Sequence, residues 1–223
     1  GRARTRFDIS RARGLSTFVG RGDEMATLDA ALARAGTGQG CVVGVVAEAG
    51  TGKSRLCFEF TERARARNIT VREAHAVLHG RSVALLPILA LLRALFGLDA
   101  SDDPDQSRQK IAGALVLLDA SFERWLPFWF DFLGVPDPAR PAPAVRGEDG
   151  ERVLLEGLRR LIVARSRQDA LVLLLEDLHW FDSASLRVVE SLIDAVADTH
   201  TLLVLNFRPE FRADWMSRHV YRQ

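Results

Sequence analysis

The sequence has very little cysteine: Cys41 and Cys57 are the two present in 223 residues. Each sits in a periodic apolar stretch, so the expectation is two buried thiols in a reducing cytoplasm rather than a disulfide. It has almost no net charge, +1 from 30 basic and 29 acidic residues. That leaves no global attraction to nucleic acid or anionic lipid, and neither is an expected direct partner. Long hydrophobic runs are also missing. The longest, Val83 to Phe96, is broken by Pro87 and Arg93 and falls short of the roughly 20 residues a membrane-spanning helix needs, so a buried helix accounts for it. No signal peptide is visible, and the start at Gly1 is what a fragment or processed product would show. The remainder, 48% apolar and 26% charged, is an ordinary globular balance able to bury a core.

Residues 1–16 carry Arg2, Arg4, Arg6, Arg11 and Arg13 with almost no apolar period and no repeated aromatic interleaving, Phe7 being the single aromatic. They read as a basic linker, with one ordered domain expected over 17–223. A helix is predicted from about Asp23 to Ala35 on the stripe Met25, Leu28, Leu32 and Ala35. Cys41 to Val46 is a continuous, β-branched apolar run, as expected of a strand covered on both faces. A helix over Lys53 to Arg67 and a strand over Ile69 to Ala74 complete a β-α-β unit. From Pro87 to Gln168 the chain reads as mostly helical. Within it, the segment Phe122 to Leu133 packs Trp125, Phe128, Trp129, Phe130 and Phe132 closely together, which suits a core patch between helices, and Val135 to Gly150 is expected to be an exposed loop. Strands are then predicted at Ala170 to Leu175 and Thr201 to Phe207, with a helix capped by Asp182 or Ser183 between them. This alternation implies a three-layer α/β fold with a mainly parallel sheet.

The chemistry concentrates at Ala47-Glu48-Ala49-Gly50-Thr51-Gly52-Lys53-Ser54, between a predicted buried strand and a predicted helix. Glycines let the backbone curl until several N–H groups face an anion, and the helix N-terminus adds positive partial charge. Lys53 can then reach the β- and γ-phosphates of a nucleotide, and Ser54 can ligate magnesium. The full pattern starts with glycine where this chain has Ala47, which serves if its φ is negative. Leu171 to Leu175 followed by Glu176-Asp177 has the form of a Walker B strand, whose acids would reach the same sheet edge. Asn206 and Arg208 end the next strand, where polar groups can sense a γ-phosphate. His179, beside the two acids, reads as structural, and His75, His79, His200 and His219 form no cluster.

Together, Phe18-Val19-Gly20-Arg21, Ala47 to Leu56, Leu175 to Asp182 and Phe207-Arg208-Pro209-Glu210 resemble the STAND class of signalling ATPases. The nearest resemblance is to the AAA-like module beside bacterial class III adenylate/guanylate cyclases and in large LuxR-type regulators. It implies that Val19, Gly20 and Arg21 border the adenine of ATP or ADP. It also implies that Ala47 to Arg55 hold the phosphates, that Ser54 and Glu176 hold Mg2+, and that Asp177 orients the attacking water. Arg208 takes the sensor position, with Asn206 where a threonine is usual two residues before it. The resemblance further implies a sensor strand between the P-loop and Walker B strands, and a fifth strand and helical lid beyond Gln223.

Three functions follow from this reading. The preferred one is a slowly hydrolysing ATP switch, cytoplasmic, controlling a covalently linked output domain outside this chain, with a nucleotide-dependent oligomer compatible with it. A scaffold that has lost hydrolysis and a small-molecule kinase are the alternatives.

Overall fold

The computed structural model describes residues 16–76, 84–144 and 147–223. The expected basic linker lies outside them except for Ser16, as do His79 and Val83. Among the described residues, Cys41–Val46 (β1), Thr70–His75 (β2), Leu171–Glu176 (β3), Thr201–Phe207 (β4) and Tyr221–Arg222 (β5) form one sheet. Every pairing is parallel, and the order is β2-β3-β4-β1-β5. β4 therefore lies between the strand before the glycine loop and the strand that ends in acids, as expected.

Strand periodicity divides the core into two layers. Cys41, Val43, Val172, Leu174, Leu202 and Val204 face helices α1 (Gly22–Gly36) and α2 (Lys53–Ala66). Val42, Leu173, Leu175, Leu203 and Leu205 face the opposite layer. That layer contains α3 (Leu86–Leu95), α4 (Pro104–Val116), α5 (Leu126–Phe132), α6 (Gly147–Ser166) and α7 (Ser183–Val196). A sheet covered on both sides needs uninterrupted apolar strands, which is why β3 and β4 carry so few polar residues. At about 1.5–3 kcal/mol for each buried Val or Leu, these strands supply much of the hydrophobic stabilisation. The predicted stripe of α1 is buried in full, as are Leu56, Cys57, Phe60 and Ala64 of α2. Both cysteines are buried free thiols.

The helical insertion packs around its aromatics. Phe122, Trp129 and Phe130 are buried, and Phe96 meets Trp129 edge-on at 5.9 Å. The aromatic segment is core, as expected. Pro87 lies in the first turn of α3, where its missing N–H costs nothing, and Asp103 with Gln106 forms a capping box at α4.

Two expectations need correction. The loop expected to run to Gly150 ends earlier, because α6 begins at Gly147. Glu148 and Asp149 in its first turn favour a helix N-terminus electrostatically. The fifth strand, expected beyond Gln223, begins within the chain, since Tyr221 and Arg222 pair with Val42 and Val43. Gly44 makes room for it, because a Cβ there would lie 2.2 Å from the Tyr221 hydroxyl oxygen. No helix among the described residues is long and apolar enough to cross a membrane.

Candidate functional site

The parallel sheet brings the ends of β1, β3 and β4 to one edge. From β1 the chain turns through the glycine loop into α2, with Gly52 as its N-cap residue. Gly50 (φ 82°) and Gly52 (φ 92°) are left-handed, a conformation that costs other residues energy. An added Cβ at either would meet nothing within 4 Å, so conformation rather than crowding requires glycine, and the space over the loop is open. Ala47 has no positive φ, so the residue that departs from the glycine pattern carries no backbone strain. The first-turn N–H groups of α2 have no intrahelical acceptors and suit an anion.

The Lys53 ammonium donates to the carbonyls of Ala47 and, at 2.8 Å, Glu48. The Thr51 hydroxyl also donates to the Glu48 carbonyl at 2.8 Å, which tightens the loop. Burial lowers the pKa of Lys53; Asp177 opposes this and Arg208 reinforces it. Asp177 and Arg208 therefore both lie within electrostatic reach of Lys53.

Glu176 ends β3 and is only 6% exposed. Burial pushes its carboxyl above the ordinary range. His75, with Nδ1 3.8 Å from the carboxylate, opposes the shift, as do hydrogen bonds from Asn206 and Ser54. A buried carboxylate hydrogen-bonded to the P-loop serine is a donor pair suited to a hard divalent cation. Asp177 follows in a left-handed conformation, φ 60°. Its backbone N–H donates to Asn206 Oδ1 at 2.7 Å. Asn206 is fully buried, and its amide nitrogen lies 3.8 Å from the Cys57 sulfur. It thus ties β4 to the acidic turn and to α2, a role its sequence position did not disclose.

Arg21 crosses from the start of α1 to the loop. It donates to the Thr51 carbonyl at 2.9 Å and to Glu24 at 2.6 Å. Arg55 donates to the Ser16 carbonyl at 2.7 Å and lies over the Phe18 ring, so it holds the N-terminal segment against α2. A cavity of about 220 Å³ opens beside the loop, lined by Arg21, Thr27, Leu28, Val45, Lys53 and Gln223 among others. Val19 and Gly20 line a neighbouring groove instead, and Val19 is 76% exposed. Lys53, Ser54, Glu176, Asp177 and Arg208 are therefore gathered, Arg21 reaches the cavity, and Val19 and Gly20 stand apart from it. Thr27, Leu28 and Gln223 were not read as site residues from sequence. The first two read there only as part of an amphipathic helix.

A larger depression of about 640 Å³ lies between α6 and α7, but it contains no glycine-loop or β3 residue. Its Glu151 and Arg187 satisfy each other in an ion pair.

Comparison with known proteins agrees with this geometry. The AAA ATPase domain family model matches residues 17–205. The chain is also 27% identical over 198 residues to an uncharacterized protein of Rhizobium meliloti (strain 1021). That match covers 80% of this chain but 17% of the relative, so the chain spans about a sixth of that protein's length. The family match, the strand–glycine loop–helix and the acids on β3 agree on a P-loop nucleotide-binding fold: the chain belongs to the AAA ATPase domain family.

Proposed function

We propose that the chain is the ATP-binding, slowly hydrolysing switch domain of a larger bacterial signalling protein, of the STAND type. The observation that carries this reading is the convergence of Lys53, Ser54, Glu176, Asp177 and Arg208, from three neighbouring strand ends, on one open glycine loop. The greater length of the Rhizobium relative is in keeping with a module that serves further domains.

In this reading the loop N–H groups and Lys53 bind the polyphosphate, and Lys53 exchanges its two carbonyl partners for phosphate oxygens. The cavity beside Arg21 takes the base. Ser54 and Glu176 would hold magnesium, which would neutralise charge on the β- and γ-phosphates. Asp177 orients a water for attack and takes its proton, and Arg208 faces the charge that develops on the terminal phosphate. None of these groups forms a covalent bond to the nucleotide. Positioning and charge complementarity are what phosphoryl transfer to water requires.

The test is phosphate release from ATP and from GTP, with and without magnesium. The expected result is magnesium-dependent binding that favours ATP, with turnover below about 1 s⁻¹, the lower end of typical enzymes. Several turnovers per second would contradict a slow switch. Steady transfer to an added acceptor would favour a kinase.

A further inference from the structure

Arg208 is held differently from Arg21 and Arg55, the two arginines that flank the glycine loop. Each of those pairs with a carboxylate. Among the described residues, Arg208 has no carboxylate within 4.0 Å. Its guanidinium carbon lies instead 5.7 Å from the centre of the Trp180 ring. Trp180 ends the short 3-10 turn Leu178–Trp180 directly after Asp177, so it is rooted in the acidic turn, while Arg208 follows β4. The Asp177–Asn206 hydrogen bond, three residues before Trp180 and two before Arg208, ties the two segments to each other. The Trp180 ring is itself braced by His179, with ring centres 5.1 Å apart.

The chemistry of that pairing matters. A carboxylate would neutralise Arg208 and would have to be stripped away when a phosphate arrived, leaving a charge to be resolvated or buried. An aromatic face attracts the cation through its quadrupole and leaves the charge undiminished. That charge reaches the site: burial lowers the pKa of both Lys53 and His179, and Arg208 adds to the effect in each case. Two cations thus face the open loop, one held by backbone carbonyls and the other by a ring.

We propose that Trp180 is a positioning residue that holds the Arg208 guanidinium, unneutralised, for the terminal phosphate, and so sets the preference for a triphosphate over a diphosphate. The inference rests on the nucleotide-binding reading and deepens it.

The experiment measures the affinities of a non-hydrolysable ATP analogue and of ADP, both with magnesium, for wild type, Trp180→Phe, Trp180→Leu, Arg208→Ala and the double variant Trp180→Leu, Arg208→Ala. Trp180→Leu should reduce the triphosphate preference roughly 2- to 30-fold, the span of a cation–π contact, while Trp180→Phe retains most of it. In the Arg208→Ala background, Trp180→Leu should have no further effect, because the two residues act as a unit. A fluorinated tryptophan at position 180, which drains the ring's negative face at nearly constant shape, should reproduce the Leu result without any repacking. Equal preference in the Phe and Leu variants, additive effects in the double variant, or no effect of fluorination would each overturn the inference while leaving nucleotide binding intact. If wild type binds neither nucleotide, the parent reading falls and this one with it.

Discussion

Glu176 and Asp177 are neighbours in sequence, yet the structure gives them opposite environments. Glu176 is buried at the end of β3 with Ser54 and Asn206 as hydrogen-bond partners. Asp177 turns out of the strand in a left-handed conformation that aspartate tolerates better than most residues, held there by Asn206. A strained, locked acid beside a lysine is the kind of feature that accumulates at functional sites. A division of labour follows. Glu176→Gln should weaken magnesium-dependent nucleotide binding on the order of tenfold or more. Asp177→Asn should leave binding unchanged but abolish residual hydrolysis. Aspartate is shorter than glutamate by about 1 Å, and a misplacement on that scale costs on the order of a hundredfold in rate, which suits a slow switch. Magnesium titration and single-turnover phosphate release check the pair. Exchange of the two phenotypes would reverse the assignment.

Among the elements, α7 and β5 carry the most specific expectations. Asp182 caps α7, accepting from the Ser185 N–H at 3.0 Å and hydroxyl at 2.5 Å, and it also accepts from the Leu85 N–H at 3.2 Å. It thereby joins the turn after Trp180 to the start of the helical insertion. Asp182→Ala should cost about 1–2 kcal/mol of stability by loss of the cap. Burial pushes its carboxyl up, but the hydrogen bonds outweigh burial and hold it below 3.8. A depressed folded pKa contributes stability that is present above 3.8 and lost as pH falls through the folded value. Urea denaturation should therefore show the wild-type advantage over Asp182→Ala shrinking at acid pH. For β5, Gly44→Ala should drive its new methyl into Tyr221 and destabilise the chain by about 1–3 kcal/mol, an overpacking effect read from thermal melts.

These same elements mark where sequence reading succeeds and where it stops. β1, β3 and β4 were legible because a strand buried on both faces must be apolar throughout, and α1 and α2 because one buried face repeats every 3.6 residues. β5 was not, since two residues carry no period and its place depends on an absent Cβ at Gly44. At the site, the glycine loop and the acids are local patterns and could be read. The Asn206 latch on Asp177 and the Trp180 ring under Arg208 join residues 29 and 28 positions apart and exist only once β3 and β4 pair. The cavity wall formed by Thr27, Leu28 and Gln223 is likewise tertiary.

At the scale of the whole molecule, the parallel sheet does one thing for function: it delivers the ends of β1, β3 and β4 to a single edge, so that cations and acids from distant segments surround one anion-sized loop. The central claim is that this edge binds a nucleoside triphosphate through Lys53. It is tested most directly by titrating ATP with magnesium into wild type and Lys53→Ala, with circular dichroism of both. The Lys53 ammonium sits on loop carbonyls and the residue takes no part in either core layer, so the variant should keep the wild-type spectrum. Its affinity should fall by a factor on the order of ten to a hundred or more, the loss of a charge-assisted contact of about 1.5–3 kcal/mol. A folded Lys53→Ala variant that binds ATP as tightly as wild type would contradict the account.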